Sequence, residues 1–126
     1  MRIIIPDRLA TTGINSYTYP ELAIYFNKFT DDGWYIVDVR DMYDEPGRNK
    51  IEDYKQKIKY AVSSLERHKK IVIACTAGIS RSNAIALAVL IEKFNHSFEG
   101  AVNYLHGLKI NMIEPCHLKV LSRIYR

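Results

Sequence analysis

The stretch Ile71-Val72-Ile73-Ala74-Cys75-Thr76-Ala77-Gly78-Ile79-Ser80-Arg81-Ser82, with the apolar run Ala84 to Ile91 behind it, decides the architecture. Ile71 to Ala74 is a continuous apolar run of strand length that stops at a cysteine. The chain then turns and starts a helix at Arg81. Ala84 to Ile91 is apolar on every face, which predicts a helix enclosed by protein. A strand, a tight turn and a helix start bring many backbone N–H groups around one small concavity. The helix end adds partial positive charge, so the loop suits a tetrahedral oxyanion. Thr76, Ala77, Gly78, Ile79 and Ser80 form its wall, Gly78 permits the tight path, and the planar fork of Arg81 can hold two phosphate oxygens.

The same surroundings favour the thiolate of Cys75, because a helix N-terminus and a nearby cation both stabilise negative charge on sulfur. A thiolate there can attack the phosphorus of a bound monoester and form a phosphocysteine intermediate. The loop amides and Arg81 would stabilise the equatorial oxygens, and Ser82 could assist hydrolysis of the intermediate.

Outward from this loop, Arg2 to Ile5 reads as a short strand, and Thr11, Thr12, Gly13 and Asn15 read as a loop leading towards Pro20. Pro20 suits a first helical turn. Leu22, Tyr25, Phe26 and Phe29 then make one apolar face, and Asp31, Asp32 and Gly33 end the helix. Trp34 to Val39 reads as a strand, and Arg40 to Asn49 as a polar loop. Ile51, Tyr54, Ile58, Val62 and Leu65 mark the stripe of a long amphipathic helix. Ser97 can cap a helix running to about Leu105, and a final helix starting at Pro115 carries Leu118, Leu121 and Ile124 towards the core. Strands alternating with helices predict a three-layer α/β domain with a central, mostly parallel sheet, whose working loops lie at the carboxyl ends of its strands.

With 126 residues, one domain spanning 1–126 and one core are expected. The chain is 48% hydrophobic and 25% charged, the balance of a globular protein. Its net charge of +4 fits anionic substrates, but the basic residues are scattered, as in Lys55, Lys57 and Lys59, and read as solvated helix faces. Nucleic acid is therefore not expected as a partner. The two cysteines, Cys75 and Cys116, give no disulfide framework, and a reducing cytoplasm fits them better. The opening MRIIIPDRLA is too short in apolar residues for a signal peptide, and no segment is long enough to span a membrane. His68, His96, His106 and His117 have no ligand spacing, so neither metal nor cofactor is expected and surface or capping roles suffice for them. Cys116 reads as a packed or idle thiol, which could still pair with Cys75.

Cys75-Thr76-Ala77-Gly78-Ile79-Ser80-Arg81-Ser82 resembles the signature loop of the dual-specificity protein phosphatases, within the cysteine-based protein tyrosine phosphatase superfamily. Ser97-Phe98-Glu99-Gly100-Ala101 and Ile113-Glu114-Pro115 resemble the segments after that family's central helix. The resemblance runs from about Ile51 to the C-terminus and is loose in the first third. It implies a nucleophile at Cys75, a phosphate ligand at Arg81, a hydroxyl aiding turnover at Ser82, and phosphorylated proteins as substrates. One departure is Ala74, where the family usually has histidine; a weaker bias towards thiolate and a higher pH optimum are expected.

The family also takes a proton for the leaving oxygen from an upstream aspartate, a contribution of typically 10² to 10⁴ in rate. Asp38, Asp41, Asp44 and Glu45 compete. Asp38 lies within the strand pattern. Asp41 closes the Val39-Arg40-Asp41 run and is favoured, whereas Asp44 has the spacing to the cysteine that the family more often shows. Tyr43 is a candidate wall of the cleft. The leading expectation is hydrolysis of phosphotyrosine and of phosphoserine or phosphothreonine in proteins. The alternatives are a module that binds phosphate without turnover, and an RNA 5′-triphosphatase or phosphoinositide phosphatase using the same loop.

Overall fold

The computed structural model describes residues 1–14, 19–76, 80–110 and 112–126. Strands β1 (Arg2–Ile5) and β2 (Leu9–Gly13) form an antiparallel hairpin through the turn at Pro6 and Asp7. Helix α1 (Tyr19–Asp31) leads to β3 (Tyr35–Asp38), and α2 (Ile51–Arg67) to β4 (Ile71–Cys75). Helices α3 (Ser80–Lys93), α4 (Phe98–Gly107) and α5 (Pro115–Tyr125) follow. The sheet order is β1-β2-β4-β3, with β4 parallel to both of its neighbours, so the sheet is mixed and mostly parallel.

The period-two pattern of the strands divides the core. Ile71, Ile73 and Cys75 face α2 to α5, whereas Val72 meets Ala10, Phe29 and Trp34 on the opposite face, beneath α1. This gives the expected three layers. Helix α3 is the centre of the larger face, with every residue from Ser82 to Leu90 buried. Ile91, by contrast, is half-buried. The side chains of Leu22 and Tyr25 lie outside the described residues; on the same helix Phe29 is buried and Phe26 half-buried. α1 stops as anticipated. Gly33, at φ +88°, closes a pair of bonds in which its own N–H reaches Thr30 O and that of Trp34 reaches Phe29 O, both at 3.0 Å. No helix among the described residues is long and apolar enough to cross a membrane.

One expectation is overturned. Thr11, Thr12 and Gly13 belong to β2 rather than to a loop, and they run parallel to Ile73, Ala74 and Cys75. Both threonines are buried, and Thr11 donates its hydroxyl proton to Asn83 Oδ1 on α3 at 2.8 Å. A polar side chain is tolerated in the core because its hydrogen bond is made there. Asn15 lies outside the described residues.

Ser97 caps α4, its Oγ accepting the Gly100 N–H at 3.0 Å. Ser97→Ala should destabilise the domain by about 1 kcal/mol, the usual effect of losing an N-cap, read as a lower urea midpoint at unchanged slope.

Candidate active site

Cys75 is the last residue of β4 and 1% exposed, held between β2 and the start of α3. Its carbonyl accepts the Ile14 N–H at 2.6 Å. Its Sγ lies 3.3 Å from Ser82 Oγ and 3.3 Å from Thr76 O. Ser82 is fully buried in the first turn of α3, so the fold brings these two sequence-predicted residues into contact. Ala77, Gly78 and Ile79, expected to line the phosphate loop, lie outside the described residues. Ser80 opens α3, and its Oγ accepts the Glu114 N–H at 2.8 Å. That side chain fastens the segment before α5.

Arg81 is half-buried and does more than the sequence suggests. Its Nη1 donates to the carbonyl oxygens of Arg40 at 3.0 Å and Met42 at 2.5 Å, and its Nη2 to the Thr76 hydroxyl. The two carbonyls are those on either side of Asp41. One guanidinium therefore joins the cysteine loop to the acidic loop.

The four acidic candidates separate by their partners. Asp38 takes three hydrogen bonds from the Arg40 guanidinium, the shortest 2.7 Å, and a fourth from the Arg40 N–H. Burial raises its pKa, but the Arg40 bonds outweigh this and hold the carboxyl below its ordinary value, which disfavours a proton donor. Glu45 pairs with Arg48 at 3.3 Å. Asp44 accepts a 2.6 Å hydrogen bond from His117 Nε2. Asp41 is 70% exposed at its side chain and meets Lys57 Nζ at 2.8 Å. Tyr43 is exposed, with the Arg48 guanidinium 4.2 Å above its ring, and its backbone is clipped to Asn49 by bonds of 2.9 and 2.6 Å.

Two participants depart from their sequence reading. A surface or capping role suffices for His117 on sequence grounds, yet it is 0% exposed and bonds Tyr54 Oη through Nδ1 at 2.6 Å as well as Asp44. Its position supplies a signal: His117 stands four residues before Leu121 and seven before Ile124, on the apolar stripe of α5. Lys57, which reads as a solvated helix lysine, is only 21% exposed at its side chain and faces the acidic loop. Cys116 is half-buried, and burial together with the charge of Asp44 raises its thiol pKa. It is thus kept as a thiol near neutrality.

A sheet whose central parallel strand ends in a cysteine, followed by a buried helix that carries an arginine in its first turn, defines the class of cysteine-loop α/β phosphatases. The family profile described as dual specificity phosphatase, catalytic domain, matches residues 14–125, and the chain belongs to that family. The match reaches well upstream of Ile51 and takes in the first third, loose in its resemblance, from residue 14 onward. No curated protein matches the chain. Membership makes the protein a phosphatase of the cysteine-based protein tyrosine phosphatase superfamily.

Proposed function

We propose that the protein hydrolyses phosphotyrosine, and also phosphoserine and phosphothreonine, in protein substrates through a phosphocysteine intermediate on Cys75. The observation that carries this reading is the bridge made by Arg81, which bonds both carbonyls flanking Asp41 from the first turn of the helix behind Cys75. The bridge supports a reading in which Cys75, Arg81 and Asp41 work from one frame. The guanidinium has five donors; with Nη1 on the carbonyls, the Nε and Nη2 edge turns to the phosphoryl oxygens, Thr76 giving up its bond from Nη2 as substrate enters. The loop amides take the remaining oxygen charge.

Sγ of Cys75 attacks phosphorus and forms the S–P bond as the P–O bond to the leaving group breaks. Asp41 gives the departing oxygen its proton. It then accepts a proton from the water that attacks the phosphocysteine, which releases inorganic phosphate and restores the thiolate. Ser82, 3.3 Å from Sγ, donates its hydroxyl proton to that thiolate and makes it the better leaving group in the second step. Acid catalysis requires Asp41 to be protonated with substrate bound. The Lys57 contact therefore belongs to the free protein and yields as the phosphate dianion arrives.

Aryl phosphate hydrolysis by the native protein, its inhibition by vanadate, and comparison of phosphotyrosine with phosphoserine and phosphothreonine peptides test the proposal. Turnover of all three peptides is expected. Binding of phosphopeptide with no turnover by the native protein would replace the enzyme with a binding module. Asp41→Asn should lower kcat for a phenolic substrate with a poor leaving group by about 10²-fold, the low end of the general-acid range, and barely affect a nitrophenolate ester that leaves without a proton.

A further inference from the structure

The mechanism just described makes no use of a buried histidine. His117 sits in the first turn of α5, fully enclosed, with both ring nitrogens engaged at 2.6 Å: Nδ1 with the Tyr54 hydroxyl of α2, and Nε2 with Asp44 of the acidic loop. Nothing in fold stability alone calls for such a group. A buried polar ring lowers stability unless every polar atom is matched, and an apolar residue would fill the place more simply. Here the matching is complete. The Asp44 carboxylate can only accept, so Nε2–H donates to it; Nδ1 shares a hydrogen bond with the Tyr54 hydroxyl, and the rings of Tyr54 and His117 pack edge to face with centroids 5.7 Å apart.

The place of Asp44 in the acidic loop gives this chain its use. Arg81 holds the backbone at residues 40 and 42. Asn49 closes the turn by bonding both backbone groups of Tyr43. Asp44, 34% exposed at its side chain, is where that turn meets the body of the protein, and its anchor is the imidazole. Asp41 thus stands on a loop tied to α3 by Arg81 and, three residues on, to α5 and α2 by His117.

We propose that His117, oriented by Tyr54 and holding Asp44, is a positioning residue that sets the pose in which Asp41 delivers its proton. This rests on the phosphatase reading and on Asp41 as the acid. His117 touches neither substrate nor the reacting atoms; its effect reaches the chemistry only through the loop. Loss of the anchor therefore weakens proton delivery and leaves nucleophilic attack and phosphate binding intact.

The test compares two aryl phosphates, one with a poor phenolic leaving group and one with a nitrophenolate that needs no proton. For His117→Leu, kcat on the first should fall about tenfold, a part of the general-acid contribution, with kcat on the second and both KM values within about twofold of native. His117→Gln, which retains an amide N–H for Asp44, should recover most of the loss. Should His117→Leu fail to fold, Asp44→Ala removes the same bond from its solvent-facing side and should show the same leaving-group dependence. An equal fall on both substrates, or no fall on either, overturns the proposal. So does a loss in Asp44→Asn as steep as that in Asp41→Asn, because the amide oxygen introduced at position 44 would still accept from His117 and a steep loss would make Asp44 the acid. Cys75→Ser measured alongside separates the two levels: if it keeps native activity, the phosphatase mechanism fails, whatever the His117 variants do.

Discussion

Cys75→Ser should lower hydrolysis of every aryl phosphate by on the order of 10⁴ or more, equivalent to about 5 kcal/mol of barrier at ~1.4 kcal/mol per decade. The size of the effect follows from the chemistry being removed. A serine hydroxyl at this position has no general base among the described contacts of Sγ, which are the Ser82 hydroxyl and the Thr76 carbonyl, so it stays protonated and attacks phosphorus poorly. The fold should survive, because the site is 1% exposed and the replacement differs by one atom of similar reach. Arg81 keeps its bonds to the Arg40 and Met42 carbonyls. The variant should therefore still bind a phosphopeptide, with affinity within a few-fold of native measured by calorimetry. Loss of both binding and turnover would point to a collapsed loop instead of a missing nucleophile.

Arg81→Lys should lower kcat/KM by about 10³-fold, at the upper end of what deletion of one preorganised donor does in an oxyanion site. A lysine keeps the charge and loses the fork. One ammonium cannot serve the carbonyls of Arg40 and Met42 and two phosphoryl oxygens together. The acidic loop is thus released at the same time as the phosphate ligand is weakened, and two signatures follow. KM should rise together with the fall in kcat, and the Arg81→Lys, Asp41→Asn double variant should lose less than the product of the two single effects. Full multiplicativity in that cycle would show that Arg81 acts on phosphate alone.

The elements that flank the cysteine loop, β4 and α3, were legible because their signal is local. A run of apolar residues, a cysteine, a glycine and an arginine at fixed intervals specify strand, turn and helix within twenty positions, and the start of α3 fell within one residue of its expected place. β2 was misread because the reasons for its burial are distant. Thr11 depends on Asn83, 72 positions away, and the backbone of Leu9 to Gly13 on the ladder with β4. His117 fails for the same reason: its partners Tyr54 and Asp44 are 63 and 73 positions away, so its polarity suggested solvent although its helical register matched the core stripe. The end of β3 and the loop after it hold four carboxyl groups within eight residues, and spacing alone left Asp41 and Asp44 competing. Their partners differ: Asp44 is engaged by His117, whereas Asp41 is exposed, pairs with Lys57 and stands between the two carbonyls that Arg81 bonds.

The thiol and the carboxylate proposed to act together are mounted on very different parts of the molecule. Cys75 ends the strand that pairs on both sides and packs beneath an enclosed helix, whereas Asp41 and its neighbours lie in an exposed segment fastened at a few points. Amide hydrogen exchange should divide the domain accordingly, with β4 and α3 protected up to global unfolding and residues 43 to 48 opening far sooner. Sequence change is constrained in the same unequal way. Changes at Glu45 to Arg48, which spare the Asp44 bond to His117 and the strand that carries Cys75, would reshape the rim of the proposed cleft without unsettling the core, so the fold leaves room for the proposed substrate preference to drift.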